Sequence, residues 1–244
     1  MIDWEDEAFV LSARAFGESG ALVELLTEAR GRLVAHVAGG GSRKVKAMLQ
    51  PGMRVLARFR ARTSDQMGQV SLEPMGEGPS RLFDDPTALS GLAAAASLAG
   101  AALPEREPHA DLFQAFEAFL GALAISDIWP AVFVKYEAGL LEALGFGLDL
   151  GRCAATGATD DLIYVSPKTG RAVSRAAGEP YADKLLKLPP FLLGAQAGLR
   201  AGDVELGLAL TGYFLERCVF DPLNRPLPPP RVWMIERLRD AGRL

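Results

Sequence analysis

Residues that bind metals or form cross-links are scarce in this chain of 244 residues, which contains two cysteines and two histidines. A structural zinc site uses four Cys or His ligands, which usually come in close pairs. Cys153, Cys218, His36 and His109 lie far apart in sequence and form no such pair. We therefore predict no metal, no other cofactor and two reduced, buried cysteines.

An export signal and a strongly apolar run are also missing. A signal peptide needs a basic segment followed by an apolar one, whereas residues 1–7 are acidic. The uncharged stretch 86–104 is mostly Ala, Gly and Ser and has a proline at each end. A membrane-spanning helix needs about 20 strongly apolar residues. We predict a protein with no membrane association and a cytoplasmic location.

Catalytic patterns are equally sparse. Neither histidine has a neighbour that would make it a general base, and Cys153 has no partner histidine. Its neighbour Arg152 could lower the thiol pKa, but a lone cysteine is usually structural. We predict that the protein is not an enzyme.

One charge sign is absent from a long segment. Residues 29–64 contain no Asp or Glu, so the rest of the chain has 17 of the 26 basic residues and all 30 acidic residues. The net charge of −4 is therefore distributed very unevenly along the sequence. Such segregation suggests a polyanionic partner, and nucleic acid is the first candidate. The nine basic residues of this acid-free window are Arg30, Arg32, Arg43, Lys44, Lys46, Arg54, Arg58, Arg60 and Arg62.

The segment 54–62 is the strongest local pattern in this window. Side chains alternate across a strand, so Val55, Ala57, Phe59 and Ala61 share one face while the arginines share the other. Residues two apart are about 6.6–7 Å apart along a strand, which suits successive phosphates. The alternative is a solvated outer face, which we disfavour because no acidic residue lies nearby in sequence. Phe59 is the only aromatic residue in the window and faces inward, so we expect backbone binding with little base reading.

A second element is the loop of three glycines at 39–41, which Ser42, Arg43, Lys44 and Lys46 follow closely. Its backbone N–H groups and the cations can attract an anion, although the spacing does not match a Walker A loop. The alternative is a flexible connector.

The order of elements predicts an α+β fold. Five short strands at 7–16, 21–27, 32–37, 53–62 and 69–73, with a short helix at 44–50, indicate a small β-barrel. Apolar residues at helical spacing then predict helices, among them 112–123, 129–144 and 203–220, before an extended proline-rich stretch at 225–231. We predict a barrel domain at 1–80, a helical domain at 81–148 and 182–244, and an irregular insert at 149–181. The insert is a second basic region, either a secondary DNA contact or only a surface loop, through Arg152, Lys168, Arg171 and Arg175.

The whole chain resembles the RecO family of bacterial recombination mediators. The resemblance rests on ordered motifs rather than on any single one. They are Phe16-Gly17-Glu18-Ser19, Leu25-Leu26-Thr27-Glu28, Gly31-Arg32-Leu33, Ser42-Arg43-Lys44, Leu49-Gln50-Pro51-Gly52, Glu142-Ala143-Leu144-Gly145-Phe146, Leu148-Asp149-Leu150, Cys153 with Thr156-Gly157, Val165-Ser166-Pro167 and Gly170-Arg171-Ala172-Val173.

The resemblance implies an N-terminal OB-fold, a helical C-terminal domain and a zinc-finger-like insert. It also implies binding of single- and double-stranded DNA, strand annealing, action with RecR, contact with the acidic tail of single-stranded-DNA-binding protein, and indirect action on RecA at the nucleoid. In many relatives four cysteines of the insert hold zinc. Only Cys153 matches here, so a metal is not expected and packing must replace it.

Our first hypothesis is a non-catalytic DNA mediator that neutralises about five to nine phosphates, with a salt slope of roughly −3.5 to −6 on single strands. Two alternatives stay open. One is an adaptor whose basic face docks acidic protein tails, and the other is an RNA-binding OB-fold protein.

Overall fold

A computed structural model describes residues 1–63, 66–125, 127–194 and 198–244 of the chain. The chain forms two compact units. The first consists of Met1–Ile125 with Pro228–Met234, and the second of residues 126–227 with Ile235–Leu244. In these described ranges, no helix is long and apolar enough to cross a membrane.

The N-terminal part of the first unit is a closed five-stranded barrel with the strand order β1-β2-β3-β5-β4. The barrel confirms the predicted fold class and is consistent with an OB-fold. The long first strand pairs with both β2 and β4. A single parallel bridge between β3 and β5 completes the closure. The strands are β1 (Ile2–Phe16), β2 (Gly20–Thr27), β3 (Gly31–Val37), β4 (Arg54–Ala61) and β5 (Gln69–Pro74).

The inner face of β4 is as the alternation predicts. Val55 and Ala57 are fully buried in the barrel core and Phe59 is 3% exposed. β1 is buried on both faces in its middle, where its pairing with β2 shifts register between Val10 and Ser12. On the outer face, Phe9 packs against Phe113 and Phe116 with ring centroids 5.0 and 5.4 Å apart. The same barrel wall therefore supports a helical layer.

Three helices complete the main part of the first unit: α1 (Arg43–Met48), α2 (Pro86–Ala102) and α3 (Ala110–Ile125). A 3-10 turn spans Gly78–Leu82. α2 is the uncharged stretch of the sequence, and Asp85 caps it by accepting from the backbone N–H groups of Thr87 and Ala88. α3 buries the phenylalanine face that its periodicity predicts.

The second unit is mostly helical and contains a small sheet with the strand order β7-β6-β8. α4 and α6 pack against each other, and the buried Thr211 hydroxyl of α6 donates to the Glu137 carboxylate of α4. The elements are α4 (Trp129–Ala143), β6 (Leu162–Val165), β7 (Ala172–Ser174), α5 (Arg175–Gly178), β8 (Leu186–Lys187) and α6 (Asp203–Phe214), with 3-10 turns at Glu179–Lys184, Pro190–Leu192 and Asp221–Leu223 and a π-helical turn at Leu215–Phe220.

The proline-rich tail departs from the prediction. Residues 225–231 are not extended throughout, because α7 (Pro229–Asp240) begins among the prolines. Proline is tolerated in the first turn of a helix, where its missing N–H would have no partner in any case. The three prolines therefore start a helix rather than prevent one.

Candidate nucleic-acid interface

The arginines of β4 face outward as predicted, but they lie among carboxylates. Arg58 donates to Glu5 of β1 and, at 2.9 Å, to Glu73 of β5. Arg60 donates to Asp3 at 3.0 Å. The hydrogen bond to Glu5 and the charge of Glu73 raise the pKa of the Arg58 guanidinium. The expectation that these arginines lack acidic partners is therefore wrong.

Antiparallel pairing of β1 with β4 explains these contacts. Asp3 lies directly opposite Arg60, and Glu5 directly opposite Arg58. Opposite charges at directly paired positions stabilise a sheet. Glu7 extends the pattern by accepting from Arg54 at 2.6 Å, and Arg54 also pairs with Glu117. The acidic first strand thus supplies the counter-charges that the basic window lacks.

The two arginines at the start of the window are also occupied. Arg32 pairs with Glu24 and donates from Nε to the carbonyl of Leu103 at 2.8 Å. Its side chain is only 18% exposed, so it serves the packing of the first unit. Arg30 is exposed, and its guanidinium lies 4.8 Å from the ring centroid of Trp4.

The cations of the glycine loop and α1 present the opposite situation. Arg43, Lys44 and Lys46 are exposed and make no ion pair with any described residue. Ser42 fixes the start of α1, because its hydroxyl accepts from the backbone N–H of Val45 at 3.3 Å. The helix thus begins one residue before the predicted 44–50. We define Arg43, Lys44 and Lys46 as the α1 cation cluster.

The glycine loop lies against the start of β2. A side chain at Gly40 would place its Cβ 2.5 Å from that of Ala21, so only glycine allows this approach. Next to it is a cleft of about 430 Å³. Its lining includes Arg14 of β1, Lys46 and the backbone of Gly40 and Gly41, and Glu18 is the one acidic residue among the described residues that line it.

Arg14 is a cation that sequence reasoning missed. It is exposed, makes no ion pair among the described residues and lies outside the acid-free window. Arg14 could have been noticed because it lies on β1 among other exposed residues near the glycine loop.

Arg62 follows β4 and is likewise exposed without an ion pair to a described residue. Ser64, the last residue of the window, lies outside the described residues.

The insert divides in the same way. Arg171 pairs with Asp149 at 3.2 Å and Arg175 with Asp161 at 3.0 Å. Arg152 and Lys168 are exposed and have no ion pair within the described part of the chain. The structure therefore leaves two of the four basic residues named for this region available to a ligand.

Cys153 is fully enclosed in the insert. Its Sγ accepts from the backbone N–H of Ser174 at 3.3 Å and from the Ser174 hydroxyl at 3.4 Å. Burial raises the pKa of this thiol, but the hydrogen bonds from Ser174, Thr156 and Ala155 outweigh it and lower the pKa to about 6. Among the described residues, no group of three or more His, Cys, Asp or Glu side chains could hold a metal ion. The groups around the Cys153 sulfur are hydrogen-bond donors.

Comparison with known proteins covers nearly the whole chain. Residues 1–75 match the family described as Recombination protein O N terminal, and residues 84–226 match Recombination protein O C terminal. The DNA repair protein RecO of Phenylobacterium zucineum (strain HLK1) is 70% identical over 243 residues, which is 100% of both chains. The DNA repair protein RecO of Rhodospirillum rubrum is 46% identical over 245 residues, which is 98% of this chain and 97% of that protein.

Proposed function

Because the chain belongs to the RecO family of DNA repair proteins and so has a role in DNA repair and recombination, we propose that it is a non-catalytic mediator that binds DNA. It binds single and double strands through their phosphates, anneals complementary strands and assists RecA loading together with RecR. It contacts the acidic tail of single-stranded-DNA-binding protein and works at the nucleoid. The observation that supports DNA binding is the α1 cation cluster beside the Arg14 cleft.

The difference between paired and unpaired cations supports a choice among the proposed phosphate contacts. An unpaired surface cation gains the full release of counterions when it meets a phosphate. A cation that already holds a carboxylate must lose that partner first. Arg43, Lys44 and Lys46 therefore dominate binding, with Arg14 beside Lys46 in the cleft and with Arg62 as a further unpaired cation. Arg58 and Arg60 contribute less, although the sequence ranks them first.

The test compares two sets of neutral substitutions. Arg43→Gln with Lys44→Gln and Lys46→Gln should lower affinity for a single strand roughly tenfold at low salt and reduce the salt slope by about 2. The control, Arg58→Gln with Arg60→Gln, should change affinity much less. Fluorescence anisotropy across a salt series measures both, and the rate of annealing of two complementary strands should follow the same order. A larger loss in the control than in the triple variant would contradict the assignment.

A further inference from the structure

A pocket of about 250 Å³ lies at one end of the barrel, within the first unit. It combines aromatic, apolar and cationic side chains, and no carboxylate of a described residue lines it. Its lining residues are Ile2, Trp4, Ala29, Arg30, Leu33, Phe59, Arg106 and Pro108. Liquid water takes about 30 Å³ per molecule, so the space exceeds that of a few waters and admits a planar ring.

An aromatic stack forms the wall of this pocket. Trp4 and Phe59 are directly opposite each other on β1 and β4, and their rings stack with centroids 4.8 Å apart at 21°. Phe59 is buried, and its ring packs so closely on the backbone of Gly68 that a Cβ there would lie 2.3 Å from it. Trp4 is only partly buried. The buried ring therefore holds the accessible ring in a fixed orientation.

Two guanidinium groups flank the stack. Arg30 lies over the Trp4 ring at 4.8 Å and makes no ion pair among the described residues. Arg106 is held by bonds at both ends: its backbone N–H donates to the carbonyl of Arg32 at 2.7 Å and its Nη2 to that of Gln66 at 3.1 Å. Its Nε forms an ion pair with Glu105 at 3.5 Å. Positive charge thus lies at the rim of an aromatic pocket.

We propose that this pocket takes one unstacked nucleobase of a single strand, which rests on the function proposed above. The base takes the place of the Arg30 guanidinium over the Trp4 ring, since Phe59 already stacks on that ring and indole planes stack bases. The phosphate on the same nucleotide contacts Arg106 at the rim. A plug that only closes the barrel would need neither guanidinium group. The sequence pattern did not indicate this site, because Trp4 lies outside the basic window.

This site gives binding a component that depends on bases rather than on phosphates. Bases of a duplex are paired and stacked on each other, so they do not enter the pocket without unpairing. A single strand has bases available at once. The pocket therefore favours single strands over duplexes, whereas the α1 cation cluster serves both.

The experiment compares an oligothymidine with an abasic phosphodiester strand of the same length and charge. Anisotropy should give the wild-type protein an affinity for oligothymidine about fivefold or more above that for the abasic strand. Trp4→Leu should bring this ratio close to one, while Trp4→Phe should keep most of it. Trp233→Leu is the control, because Trp233 is 58% exposed and lies away from the pocket lining.

The outcomes separate this inference from the function on which it rests. Equal affinity of the wild-type protein for both strands overturns the nucleobase pocket but leaves phosphate binding intact. No binding of either strand overturns the proposed function itself. An independent measurement covers a Trp4 variant that fails to fold: photocrosslinking of the wild-type protein to a strand with 5-iodouracil, followed by peptide mapping. Adducts on Trp4 support the pocket, and adducts found only elsewhere overturn it.

Discussion

Arg58 and Lys46 carry the same charge but differ in what that charge can do. Arg58 is half-exposed and already holds two carboxylates, from Glu5 and Glu73. Lys46 is exposed beside a cleft and holds none among the described residues. Exposed ion pairs stabilise a protein by only about 0–1 kcal/mol each. A phosphate can therefore replace the carboxylates of Arg58, but its binding is weakened by the energy of the ion pairs that are lost. The surroundings of a cation thus decide its value to a ligand more than its type does.

Cys153 allows a test at the scale of one side chain. Its thiol pKa is about 6 in the folded chain, below the ordinary value of 9.0. The unfolded state therefore binds more protons between these two pH values, and the folded state gains stability as pH rises. This contribution is complete above the unfolded pKa and is lost as pH falls through about 6. We expect the melting temperature of wild type minus that of Cys153→Ala to increase from pH 6 to pH 9.

Thermal unfolding at several pH values measures this difference, and Cys218→Ala is the control for loss of a thiol. Because a cavity left by the missing sulfur costs the same at each pH, only the hydrogen-bonded thiolate makes the difference depend on pH. A difference that stays constant over the range would mean that Ser174 and Thr156 do not stabilise the charged sulfur.

At the scale of elements, the carboxylates of β1 form ion pairs with the arginines of β4 and so screen their positive charge; we call these carboxylates, with Glu73, the screen. Asp3, Glu5 and Glu7 of β1 reach the arginines of β4, and Glu73 of β5 closes on Arg58 from the other side. The barrel thus holds a row of cations and a row of anions on one surface. This surface repels phosphates through its carboxylates as much as it attracts them through its guanidinium groups.

Removal of the screen should strengthen DNA binding. Glu5→Gln with Glu73→Gln leaves Arg58 without its ionic partners, and we expect roughly two- to fivefold tighter binding of a single strand, in proportion to the modest strength of exposed pairs. Anisotropy at low salt measures the change. Glu142→Gln with Glu216→Gln is the matched control, since it removes two exposed charges that make no ion pair with a described residue. An equal gain from both double variants would indicate an effect of net charge rather than of Arg58.

These pairings mark the limit of prediction from the sequence. Period-two alternation gave the inner face of β4, and helical periodicity gave the buried face of α3, because both patterns are local. The contact between Glu5 and Arg58 joins residues 53 positions apart and depends on strand register. The stack of Trp4 on Phe59 depends on the same register. Local patterns predicted which residues face outward but not what they meet there.

At the scale of the whole molecule, the ion pairs reduce the basic surface. Outside the acid-free window the chain has 17 basic against 30 acidic residues, so its remaining surface repels DNA. Within the window, Arg32, Arg54, Arg58 and Arg60 are paired. In the proposed DNA binding, attraction must then come from a few cations that hold no carboxylate. Such a protein binds strongly only where these cations are close together, which favours a localised contact over a continuous basic face.

The slope of binding affinity against salt concentration measures how many of these cations contact phosphates. Single-strand affinity changes with salt by about 0.7 in log units per neutralised phosphate. Six exposed cations have no ion pair among the described residues of the barrel region, namely Arg14, Arg30, Arg43, Lys44, Lys46 and Arg62. They give a slope of about −4, whereas all nine basic residues of the window would give about −6. Anisotropy titrations with an oligothymidine from low to moderate salt measure the slope. A slope near −6 would show that phosphates displace Glu5, Asp3 and Glu7 from their arginines when DNA binds.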